Sequence, residues 1–70
     1  MYKLSKFENG VETLLRVSNR YELIRRMKTM HRDLYDSGCF DYVSDILALS
    51  LPCFWAKQDD RVISYKIVKL

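Results

Sequence analysis

The sequence predicts an α+β fold, a small two-layer domain in the order ββααββ, with an antiparallel sheet and both helices on one of its faces. Three observations carry this. Asn9-Gly10 separates two runs that suit strands, apolar residues recur at helical spacing from Leu23 to Leu34, and Ile63, Tyr65 and Ile67 alternate with Val62, Ser64, Lys66 and Val68. Seventy residues make one domain, 1–70, near the lower size at which a core holds without a staple. With 49% hydrophobic residues, the chain is too apolar to remain disordered.

Tyr2 to Phe7 and Val11 to Val17 read as the first two strands, joined by a three-residue loop Glu8-Asn9-Gly10 with Gly10 left-handed. On the second strand Val11, Thr13, Leu15 and Val17 share one face; on the first, Tyr2 and Leu4 oppose Phe7. Asn9 followed by Glu12 also fits a helix cap, so a short helix from Gly10 to Arg16 is the rival reading. Asn-Gly decides for the hairpin.

Asn19-Arg20-Tyr21-Glu22 is a capping box: Asn19 can accept from the Glu22 amide while the Glu22 carboxylate reaches back. A helix of about sixteen residues, about 24 Å long, then runs to Gly38, which supplies a left-handed stop. Leu23, Ile24, Met27, Met30 and Leu34 form its apolar face. Asp41 is read as the cap of a second helix through Ser50, with Phe40, Val43, Ile46 and Leu47 inward and Pro52 as its stop. Cys53 to Lys57 and Arg61 to Leu70 complete the order as strands around the turn Gln58-Asp59-Asp60.

The net charge of +3 is unevenly spread. Arg16, Arg20, Arg25, Arg26, Lys28 and Arg32 face Glu22 alone in their segment, whereas Lys57 is the one basic residue between Asp33 and Asp60. Such segregation steers an acidic partner to one side unless folding cancels it.

Arg25, Lys28 and Arg32 lie at i, i+3 and i+7 and form a basic stripe opposite the apolar face, bordered by Tyr21 and extended by Arg20 and Arg26. Three readings fit: solvated charge, phosphate contacts on a nucleic acid, or an acidic protein surface. Glu22 with Arg26 already forms an i, i+4 pair. In Phe54-Trp55 a strand puts the two rings on opposite faces, one buried and one more exposed. Trp55 beside Tyr42 or Tyr65 is then either an anchor for a partner or the largest core residue.

Other chemistry is thinly represented. Cys39 and Cys53 have no C-x-x-C spacing and one histidine beside them, so no zinc site is expected. His31 with either thiol is the only cysteine dyad available; a partly buried histidine making one hydrogen bond is the simpler reading. Asp33, Asp36, Asp41 and Asp45 lack the ligand spacing of a calcium loop, and two glycines make no phosphate loop. No cofactor is implied.

These features predict a small non-enzymatic interaction protein, a modulator or inhibitor of a larger bacterial or viral complex of the size of bacteriophage accessory proteins. Its partner is expected to be a protein, met through Trp55 or the Arg25/Lys28/Arg32 stripe with Tyr21. The alternative is a nucleic-acid-binding domain using the basic helix. A homodimer is compatible with both, because Arg61 to Leu70 would leave an uncovered apolar strand. No leader or membrane-length apolar run is present, which leads to a cytoplasmic expectation with reduced thiols.

Overall fold

A computed structural model describes residues 1–47 and 49–70. The elements are β1 (Tyr2–Glu8), β2 (Val11–Ser18), α1 (Arg20–Ser37), β3 (Tyr42–Val43), β4 (Cys53–Gln58) and β5 (Arg61–Lys69). The strands form one antiparallel sheet in the order β2-β1-β5-β4-β3, with α1 packed on it. The class is α+β as expected; the element order is ββαβββ, with one helix among the described residues in place of two.

The second helix predicted from Asp41 to Ser50 is therefore a correction; within it, Ala48 lies outside the described residues. Asp41 caps a turn and not a helix. Its carboxylate accepts from the Asp59 amide at 2.7 Å, and its own amide donates to the Lys57 carbonyl at 2.8 Å. Tyr42 and Val43 then pair with Lys57 and Ala56, and the Leu47 amide donates to the Cys53 carbonyl at 2.9 Å. The segment satisfies the free edge of β4, a demand that outweighs a weak helical pattern. Phe40, Val43 and Ile46 still pack against the core, but Leu47 is exposed.

The first hairpin turns on two residues, not three. Asn9 and Gly10 have φ of 53° and 77°, the double positive φ of a type I′ turn, and Glu8 pairs with Val11. Leu4 faces Arg16 whereas Ser5 faces Leu14, so Leu15 is an extra residue forming a bulge. The bulge breaks the expected face of β2: Val11 and Thr13 continue into Arg16 and Ser18, and Val17 falls with Glu12 and Leu14 on the other side.

At the helix start, Asn19 Oδ1 accepts from the Glu22 amide at 2.9 Å, as the capping box requires. The other half of the box does not form. The Glu22 carboxylate takes the Ser18 hydroxyl at 2.5 Å and the Arg16 guanidinium at 3.0 Å instead, tying α1 to β2. Gly38, at φ 68°, ends the helix in the left-handed conformation expected of it.

Register places Leu4, Phe54, Ile63, Tyr65 and Ile67 on one face of the sheet, where α1 sets Leu23 and Met27 onto them, both with no solvent exposure. Each such burial stabilises by about 1.5–3 kcal/mol. Phe54 stacks on Tyr65 with ring centroids 4.9 Å apart. β5 lies between β1 and β4 at the centre of the sheet, so the uncovered terminal strand expected from the sequence is not found; the outer strands are β2 and β3. The opposite face, bearing Tyr42, Trp55, Lys57, Val62, Lys66 and Val68, is open to solvent. No described helix is long and apolar enough to cross a membrane.

Candidate functional site

The helix periodicity that seats Leu23 and Met27 on the sheet turns the opposite flank outward. Arg25, Lys28 and Arg32 are all exposed along it. Tyr21 stands at its first turn with 72% exposure, and the Arg25 guanidinium lies 5.9 Å from the centre of the Tyr21 ring. Tyr35, 67% exposed, continues the 4-3-4 spacing by three more residues, so the seam reads Tyr21, Arg25, Lys28, Arg32, Tyr35. It spans about 21 Å at about 1.5 Å per residue.

Among the described residues Arg25 and Lys28 form no ion pair, and Arg32 meets only its exposed neighbour Asp33, at 3.8 Å. A pair of that kind contributes little. Arg20 and Arg26, expected to extend the stripe, are engaged elsewhere. Arg20 donates twice to the Ser50 carbonyl, at 2.8 and 2.5 Å, and Arg26 sits 3.6 Å from Glu22. Around the upper half of the seam, Asn19, Tyr21, Glu22, Arg25, Arg26 and Thr29 line a shallow open depression of about 550 Å3. The Ser18 hydroxyl holds the Glu22 carboxyl below its ordinary range, with Arg16 and Arg26 adding to the effect, so the depression carries one fixed negative group among its cations.

Trp55 does not join this seam. It projects from the open face of the sheet, on the side opposite α1, at 39% exposure, while its neighbour Phe54 is buried. Tyr42 lies beside it with ring centroids 4.9 Å apart; Tyr65 faces the core. The five residues singled out from the sequence thus divide into two surfaces, Tyr21/Arg25/Lys28/Arg32 on the helix and Trp55 on the sheet.

His31 is structural. Its Nε2 donates to the Ser44 carbonyl at 2.8 Å, and its ring meets the edge of Phe54 at 5.1 Å. Cys53 belongs to the open sheet face, away from the helix side that holds His31, and exposed Cys39 interacts with Ser37. Neither thiol forms a dyad with the imidazole.

Sequence reasoning missed Tyr35, and it left the choice between Tyr42 and Tyr65 as the neighbour of Trp55 open. The first was readable as a continuation of the helical spacing. The second depends on β3, which has no sequence period of its own. No protein-family model, curated protein or solved structure significantly matches the chain.

Proposed function

We propose that the chain is a small cytoplasmic, non-enzymatic interaction protein that docks on an acidic surface of a larger protein and modulates or inhibits the complex to which that protein belongs. The observation that carries this reading is the exposed helix seam, three cations bracketed by Tyr21 and Tyr35, with Arg25 and Lys28 in no ion pair among the described residues. Tyrosine and arginine supply a disproportionate share of interface energy, because they combine large contact area with directed hydrogen bonds. A rigid helix packed on a sheet presents them with little ordering cost.

The test is affinity capture from a lysate of the source cells, comparing the native chain with Arg25→Glu/Arg32→Glu and with Tyr21→Ala/Tyr35→Ala. A shared partner recovered by the native chain and lost with both variants supports the proposal. Identical recovery by all three overturns it. Nucleic-acid binding through the same helix is the second reading, favoured by the uncompensated Arg25 and Lys28; it predicts duplex binding that the arginine variant abolishes and the tyrosine variant spares.

A further inference from the structure

The open sheet face carries a different pattern from the helix seam, and it is built from rings and lysines in alternation. Trp55 and Tyr42 stand side by side with their planes tilted by 39°. Lys57 lies directly opposite Tyr42 and two residues beyond Trp55, and Lys66 pairs with Cys53, two residues before Trp55. A lysine therefore flanks the tryptophan on each side along one face, Lys57 about 7 Å away along the strand and Lys66 about 7–8 Å away on the diagonal. The Lys66 ammonium also reaches over Phe7, 5.2 Å from the ring centre. Lys3 joins the same face from β1, and Glu12, the one carboxylate that the paired strands place there, is taken up by Lys3 at 2.9 Å and by the Ser5 hydroxyl at 2.6 Å.

We infer that this face binds a single-stranded nucleic acid, with bases stacked on Trp55 and Tyr42 and backbone phosphates held by Lys57 and Lys66. Ring and cation alternate here as base and phosphate alternate along a strand. Every base offers a π-face, so stacking needs no particular sequence, and lysines beside the rings meet the charge that each nucleotide brings. A duplex keeps its bases stacked internally and cannot offer them to these rings. An acidic polypeptide would satisfy the lysines and leave the aromatic platform unused. The face is opposite α1, so this binding is independent of the helix-borne docking proposed above.

The experiment uses a fluorescein-labelled deoxythymidine oligomer of about twelve nucleotides, within the site size of one small domain. Anisotropy reports binding, and emission from Trp55, the single tryptophan, reports stacking. Expected are quenching of that emission on saturation and a log-log salt slope of about −1.4 between about 50 and 200 mM, for two phosphate contacts on a single strand. Trp55→Ala and Lys57→Glu/Lys66→Glu should each weaken binding about tenfold or more, while Trp55→Phe and Arg25→Glu/Arg32→Glu stay within about twofold. Trp55→Phe and the lysine pair decide the matter if Trp55→Ala fails to fold by circular dichroism. The inference is overturned by no binding at the lowest salt, by duplex binding as tight as the single strand, by poly-glutamate competing as well as unlabelled oligomer, or by loss of binding in the helix variant.

Discussion

Ser44 joins three elements through one small buried residue. Its amide donates to the Trp55 carbonyl at 2.8 Å, its hydroxyl accepts from the Trp55 amide at 2.9 Å, and its carbonyl receives His31 at 2.8 Å, so the loop after β3 is tied to both β4 and α1. Ser44→Ala removes the acceptor of the Trp55 amide and should cost about 1–3 kcal/mol, the penalty of an unsatisfied buried donor. Urea unfolding followed by circular dichroism measures it; an unchanged midpoint would assign that amide another partner. Met27→Ala should cost more, about 2–5 kcal/mol, because a fully buried side chain leaves a cavity between α1 and the sheet. Against about 4–10 kcal/mol of total stability for a chain of this length, that variant should be substantially unfolded in mild urea. Met27 was legible from the helical period. Ser44 was not, because its role exists only once β3 and β4 are paired.

Elements with their own period or turn chemistry were readable, and those defined by a neighbour were not. Asn9-Gly10 announced the first hairpin, Asn19 and Gly38 bounded α1, and alternation of Ile63, Tyr65 and Ile67 defined the inward face of β5. β3 is two residues long and carries no alternation to detect, and an aspartate before it caps a turn as readily as a helix. The Leu15 bulge left no trace because one inserted residue has no pattern until its partner strand is known. Gly10 offers a direct check on the hairpin: Gly10→Val forces a β-branched residue to φ of 77° and should cost about 1–2 kcal/mol in thermal or urea unfolding. A neutral result would mean that the turn changes type without loss. β2 also has a free outer edge with Val11, Leu14, Leu15 and Val17 exposed, the kind of strand that pairs with another copy. Leu14→Lys should lower any self-association seen by light scattering across a concentration series; equal association in both proteins would place the contact elsewhere.

At the level of the whole molecule, three carboxylates fasten neighbouring elements, two joining strands within the sheet and one joining the helix to it. Glu8 on β1 receives Arg61 of β5 at 2.6 and 3.1 Å, Glu12 on β2 receives Ser5 and Lys3 of β1, and Glu22 on α1 receives Ser18 and Arg16 of β2. The Arg61 hydrogen bond depresses the Glu8 pKa, the Ser5 and Lys3 hydrogen bonds depress that of Glu12, and the Ser18 hydrogen bond depresses that of Glu22, all from an ordinary 4.5. A carboxylate with a depressed folded pKa stabilises the fold at every pH above its unfolded value and loses that contribution as pH falls through the folded one. The melting temperature should therefore hold level from neutral pH down to about 5 and decline below it, as the surviving positive charge also begins to repel itself. Because these groups are exposed, added salt should lower the neutral-pH plateau slightly and shrink the difference between plateau and acid limb. Glu22→Gln keeps the shape of the side chain and removes its titration, so it should lower the plateau and flatten part of the decline. A melting temperature that rises on acidification through this window would show that these three carboxylates do not stabilise the fold.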